Sequence, residues 1–170
     1  MALPDPINHQ EFLLTLDTST LPVVKNALPG VDIWPLFMDA ENGLWVIRAH
    51  FHPGITLPTH FHTGTVHFYT LSGCWYYLEY PDQKQTAGSY LYEPGGSIHT
   101  LHTPDTNEGV TDGFIIVSGC NINFDEDGNY MNTMDAGWIE QAILAAAEAQ
   151  GMGTPRYIKP GGEAVYADDE

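Results

Sequence analysis

Eight histidines in a chain of 170 residues are the side chains best suited to do chemistry here. Neutral imidazole is the commonest protein ligand for a transition metal. Four of the eight fall in two His-Phe-His triplets, at 50–52 and 60–62. Residues i and i+2 of a strand project from one face, so either triplet could offer two imidazoles to one ion. Context separates them. His50 and His52 share a face with Arg48, opposite the apolar Trp45, Ile47, Ala49 and Phe51, and that face is expected to meet solvent. His60 and His62 follow Gly54 after five residues and precede a turn and a strand that runs to Gly73. His99 sits in a frame of its own: Gly88, five residues, Pro94-Gly95-Gly96, two residues, then the histidine. His9 lies in a proline-broken stretch and reads as incidental. No Ser/His/Asp or Cys/His nucleophile arrangement and no phosphate-binding glycine loop is visible.

The elements that must position these side chains are short strands punctuated by Gly and Pro. Between Val31 and Phe51 stand two runs, VDIWPLFM and LWVIRAHF, the second alternating with period two. Further strands are expected at Ile55–His62, Val66–Leu71, Cys74–Tyr80, Ser89–Glu93, Ser97–His102, Gly113–Ser118 and Asn121–Phe124, with tight turns at Thr63-Gly64 and Ser72-Gly73. Residues 1–30 read as an N-terminal arm with one strand at Glu11–Leu16, and 31–125 as a barrel. A single helix is expected at Trp138–Gln150, within 135–151, capped by Asp135 or a neighbour and stopped by Gly151. Residues 152–170 read as a loose tail. This pattern is that of one all-β domain, an antiparallel barrel or sandwich.

Composition narrows the partners. Hydrophobic residues make up 43% of the chain, enough for a substantial core, while 22 acids against 5 basic residues give a formal charge of −17. Such a surface repels phosphate backbones and anionic lipid, which argues against nucleic acid and membrane partners. No apolar run approaches the roughly 20 residues a membrane span needs. Cys74 and Cys120 cannot build a disulfide framework and read as free thiols. With no leading signal segment, a cytoplasmic location is expected.

The stretches GITLPTHFHTGTVHFYTLSG and GSYLYEPGGSIH resemble the two signature motifs of the cupin superfamily. The first motif runs Gly, five residues, His-x-His, three or four residues, Glu, six residues, Gly. The second runs Gly, five residues, Pro-x-Gly, two residues, His, often followed by Asn. Here the second has Thr103 in place of the Asn, and the first lacks its glutamate, whose position falls on Val66 or His67. The resemblance implies a double-stranded β-helix, or jelly-roll barrel, to which the N-terminal arm and the C-terminal helix read from the residues are added. It also implies one divalent metal held by His60, His62 and His99. His67 is a candidate fourth ligand, a hydrogen-bond donor behind the ligands, or a core residue. His102, of opposite parity to His99, is not expected to ligate. An all-imidazole set would leave the ion its full charge, suited to an anionic chelating substrate.

Among three-histidine cupins, the runs HFHTGTVHFYTLSGCWYYLEY and TAGSYLYEPGGSIHTL resemble 2,4′-dihydroxyacetophenone dioxygenase and its relatives, and more distantly acetylacetone-cleaving dioxygenase. That resemblance implies an Fe(II) enzyme, with Zn or Ni able to take the site in purified protein. Its substrate would be a small hydroxyketone or diketone. Addition of O₂ would break the bond between the two oxygenated carbons and give two carboxylic acids. Tyr69, Tyr76, Tyr90, Tyr92 and Trp75 could line an aromatic-friendly pocket, although aromatic residues in short strands are more often core. Glu93 and Glu79 are conceivable proton acceptors, with solvent-facing carboxylates the plainer reading, and no catalytic residue is assigned. Two other readings stand: a metal-dependent isomerase or lyase on a small carbonyl compound, and a non-catalytic metal- or ligand-sensing cupin. The family habit of strand exchange implies a homodimer.

Overall fold

A computed structural model describes residues 13–160 and 165–169. The described chain enters the fold through β1 (Val24–Leu28), β2 (Val31–Asp39) and β3 (Leu44–Phe51). In β3 the expected alternation is complete: Trp45, Ile47, Ala49 and Phe51 are buried, and Val46, Arg48 and His50 are partly exposed. Pro53-Gly54 ends that strand. There follow β4 (Thr59–His62), β5 (Val66–Ser72), β6 (Cys74–Tyr77), β7 (Gln85–Thr86), β8 (Tyr90–Glu93) and β9 (Leu101–His102). Then come β10 (Thr111–Ser118), β11 (Asn121–Phe124), β12 (Tyr130–Met134), the helix α1 (Ala136–Ala149), β13 (Ile158–Lys159) and β14 (Val165–Tyr166).

The large sheet has the order β14-β13-β2-β3-β10-β5-β8, with β1 added on β2. Two smaller sheets, β12-β11-β4 and β7-β6-β9, complete the jelly roll as packed sheets rather than one closed ladder. Side chains from the inner faces of β2, β3, β5 and β10 meet those of β4, β11 and β12 around a central cavity. This is the all-β architecture with one helix that the strand spacing and motif resemblance lead one to expect.

Helix α1 begins where the Asp135 carboxylate accepts a hydrogen bond from the Trp138 amide at 2.8 Å. It ends where Gly151 adopts φ +68° and Met152 N–H reaches back to the Ala147 carbonyl at 3.0 Å. Its buried face, Ala136, Ile139, Ile143 and Ala147, packs on β1 and β2.

Several expected boundaries shift. Of Ile55–His62 only the last four residues form a strand, and of Ser97–His102 only the last two do. The strand expected at Glu11–Leu16 has its first two residues outside the described range, and 13–16 are not a strand. His9 also lies outside that range. The arm is tied down by side chains of the large sheet, among others. Arg48 Nη1 donates to Thr18 Oγ1 at 2.7 Å, and Trp34 Nε1 donates to the Leu21 carbonyl at 3.0 Å. The loose-tail expectation needs correction over 155–159. Tyr157 is buried and donates to Glu140, and β13 pairs in parallel with β2 through Ile158 and Phe37. Two-residue strands leave no periodicity for a sequence to display.

Candidate metal centre

Strand alternation turns His60 and His62 inward from β4, where each is 6% exposed. Phe61 faces the other way and stacks on Phe124. His99 is delivered by the turn that Pro94-Gly95-Gly96 makes. Gly96 N–H donates to the His62 carbonyl at 2.7 Å. A side chain at Gly95 would start 2.9 Å from the Thr63 carbonyl oxygen, so the approach needs glycine. His60 and His99 then exchange backbone hydrogen bonds, 3.0 Å from His60 N–H and 2.9 Å from His99 N–H, in an isolated antiparallel bridge. The three imidazoles offer donor atoms within 4.8 Å of one another.

Their ring chemistry suits ligation. His60 Nδ1 contacts the Pro58 carbonyl at 2.8 Å, which leaves Nε2 for an ion. His62 is the cross-strand partner of Asn121, and His62 Nδ1 and Asn121 Oδ1 are both buried without a well-formed hydrogen bond. Burial pushes His62 down to about 4 against the opposing charge of Glu93. Burial also lowers His60, with the Pro58 carbonyl opposing. Both rings are thus neutral near pH 7, the form that binds metals.

A carboxylate completes the group. Glu93, the last residue of β8, is 4% exposed, not solvent-facing. Its Oε2 lies 3.2 Å from His99 Nε2 and 3.4 Å from His62 Nε2. Its Oε1 accepts a hydrogen bond from the Tyr77 hydroxyl, and the Tyr77 ring stacks on His99 with centroids 4.2 Å apart. Burial pushes Glu93 up. The His99 contact, the neighbouring imidazoles of His99 and His62 and the Tyr77 hydroxyl outweigh it and hold the carboxyl below its ordinary value. Glu93 Oε2 and His99 Nε2 are both buried without a well-formed hydrogen bond. Two imidazole nitrogens and a carboxylate oxygen meet at this buried point, and the unsatisfied His99 Nε2 and Glu93 Oε2 among them fit a divalent cation.

The structure brings together the three expected histidines, and a buried carboxylate stands against two of them where none was expected. The carboxylate comes from the second motif, and Val66, 2% exposed, fills the inward position where the first motif has its glutamate. His67 points to the opposite face of β5, where its Nδ1 meets the Tyr90 hydroxyl at 2.7 Å, and the structure does not bring it to the other three.

The proposed aromatic lining is also displaced. Tyr69, Tyr90 and Tyr92 are exposed on the outer face, and Tyr76 stands against His102. Trp75 is core, stacked on Phe68 and donating from Nε1 to Thr70. His102 contacts Thr56, His50 lies near Asp112 and His52 near Asp32, and Glu79 accepts from the Thr100 amide and hydroxyl. Thr103, in place of the motif Asn, donates to the His52 carbonyl at 2.6 Å and serves the fold.

His60, His62 and Glu93 line a cavity of about 450 Å³, a size that suits a small organic molecule. Its walls are mostly apolar, among them Trp45, Phe51, Phe68 and Ile115, with Trp138 and Ile139 from the first turn of α1. The alternation of β3 already turned Trp45 and Phe51 inward. Trp138 and the amides of β11 and β12 had no comparable signal.

A jelly roll that gathers three buried histidines beside an apolar cavity defines a cupin with a metal-capable centre. The chain belongs to the family described as the ChrR cupin-like domain, whose model matches residues 11–111. It is 58% identical to a cupin-like protein of unknown function from Ralstonia eutropha JMP134, with a TM-score of 0.84 over 91% of this chain and 96% of that one. An RmlC-like cupin protein from the same organism is 26% identical, with a TM-score of 0.72 over 82% and 90%. Acetylacetone dioxygenase from Acinetobacter johnsonii is 17% identical, with a TM-score of 0.67 over 86% and 99%, a likeness of fold. The chain matches no curated protein.

Proposed function

We propose that the chain is a mononuclear metal dioxygenase that cleaves a carbon–carbon bond in a small hydroxyketone or diketone. His60, His62 and His99 would hold the ion, with Glu93 as the carboxylate beside them. Iron(II), when bound, would supply Lewis acidity and the electrons that O₂ chemistry requires.

The observation that carries this reading is the meeting of the buried histidine group with an otherwise apolar cavity of about 450 Å³. A site that senses a metal ion alone has no need of that space, whereas a chelating ketone does. Apolar walls exclude water from the reacting atoms and hold the hydrocarbon part of the substrate. Glu93, which lines the cavity, would take a proton from a substrate hydroxyl or enol, and Tyr77 would steady the carboxylate through Oε1.

The test is O₂ uptake by protein stripped of metal and reloaded anaerobically with Fe(II), run against aryl α-hydroxyketones and β-diketones, with Zn(II)-loaded protein as control. Uptake matched by carboxylic acid product, in the iron form alone, supports the proposal. Turnover of a ketone without O₂ would overturn it in favour of an isomerase or lyase.

A further inference from the structure

The chain around His99 is held on both sides. On one side His99 exchanges its two main-chain hydrogen bonds with His60. On the other, the carbonyl of Thr100 accepts from the Leu78 amide at 2.9 Å. The Thr100 amide donates to Glu79 Oε2 at 2.9 Å, and the Thr100 hydroxyl donates to Glu79 Oε1 at 2.9 Å. One carboxylate thus takes both donors of the residue that follows His99.

The hydrogen bonds continue toward the other motif. Thr100 Oγ1 lies 2.8 Å from Thr59 Oγ1. A carboxylate only accepts, so the one hydroxyl hydrogen of Thr100 is committed to Glu79 and the Thr59 hydroxyl must donate to Thr100. Thr59 directly precedes His60, as Thr100 directly follows His99. Two threonines, each beside a candidate ligand and one from each motif, are therefore tied to a single acid. Thr100 is buried, whereas Glu79 is an exposed residue whose carboxylate is nevertheless fixed by two charge-assisted hydrogen bonds. The same short segment reaches His99 from two directions. Tyr77 stacks on the imidazole from within the fold, and Glu79, two residues on, holds the neighbouring residue from the surface.

We propose that Glu79 is a positioning residue for the metal centre: through Thr100 and Thr59 it fixes His99 against His60 from outside the cavity. This rests on the reading of the three histidines as metal ligands. It assigns part of their arrangement to a residue outside both signature motifs.

The test loads the full chain with Co(II), whose visible absorption reports the geometry of its ligands. Release to an excess of chelator gives the dissociation rate. E79A should release the ion about tenfold faster and shift the absorption bands, the scale on which residues behind metal ligands act. E79Q keeps one acceptor oxygen and should recover about half of that change on a logarithmic scale. Asp32→Asn weakens the β1–β2 connection without touching the histidines, so its spectrum and release rate should match wild type. Thr59→Val cuts the chain of hydrogen bonds at its far end and serves if E79A fails to fold. A wild-type spectrum and release rate in E79A, an equal change in Asp32→Asn, or no recovery in E79Q would overturn the positioning role. Failure of the underlying reading looks different: Co(II) would then not bind, or would bind equally well after alanine replaces His60, His62 or His99, and both proposals fall.

Discussion

Val66 and Glu93 stand directly opposite one another in the β5–β8 pair. Val66 occupies the place where the first cupin motif carries its glutamate, and the carboxylate comes instead from the residue facing it across the ladder. Both are buried, and Glu93 reaches the imidazoles of His62 and His99 from the neighbouring strand. The charge that the motif would place on one strand is thus supplied by the next.

Replacing Glu93 by Gln keeps the side chain's shape but removes the charge beside His62 and His99. Metal affinity should fall about 10- to 100-fold, as for other carboxylates that support metal-binding histidines. Competition with a calibrated chelator measures it, and an unchanged affinity would detach Glu93 from the metal. Tyr77→Phe keeps the ring on His99 yet leaves Glu93 Oε1 without its donor. It should cost about 1–3 kcal/mol in denaturant unfolding, with a smaller loss of metal.

Alanine at His60, His62 or His99 should strip most of the ion, whereas His67→Ala should retain it. Elemental analysis of the purified variants decides the matter. Metal loss in His67→Ala equal to that in the others would contradict the outward orientation of that side chain.

Gly113 lies under the Phe68 ring, and a methyl group there would start 2.2 Å from Phe68 Cε2. Phe68 is held between Phe51 and Trp75 and lines the cavity. Gly113→Ala should therefore destabilise by about 1–3 kcal/mol through overpacking and weaken ketone binding as the ring moves inward. Thermal unfolding reports the first effect, and quenching of the cavity-lining Trp45 and Trp138 by an added β-diketone reports the second.

Asp32 links the first two strands, accepting from the Asn26 amide and the Lys25 ammonium, each at 2.9 Å. Burial alone would raise its carboxyl, but Asn26, Lys25 and His52 together hold it below the ordinary value. A depressed native value means that the ionised form favours folding. The contribution is complete above the unfolded carboxyl's value, about 3.9, and is lost as pH falls through the native one. Asp32→Asn should cost about 1–3 kcal/mol at pH 7, and its gap from wild type should close in acid below about pH 4. A gap that stays constant down to pH 3 would show that the charge has no part in it.

The strands around the histidines were legible because β3, β5 and β10 alternate buried and exposed residues, and because each motif histidine is framed by glycine or proline. The role of Glu93 was not. Its neighbours in β8, Tyr90 and Tyr92, are exposed while Leu91 is only partly buried, so nothing in the local pattern marks the inward face. Burial there is decided by strand pairing across 27 residues of sequence, from Val66 to Glu93. The outward tyrosines misled for a related reason: aromatic residues favour strands on either face, and composition does not say which. β13 was invisible because a two-residue strand has no period, and its place follows from the burial of Tyr157.

The amide bridge between His60 and His99 fastens the two motifs together through main-chain atoms alone. A binding site framed in this way exists before any ion arrives, so an ion need not organise the chain in order to bind. Different divalent ions would meet the same ready-made nest of donors. Which one resides there is then a matter of coordination preference and of what the cell supplies, and the same polypeptide can be emptied and refilled as a vessel rather than refolded around its contents.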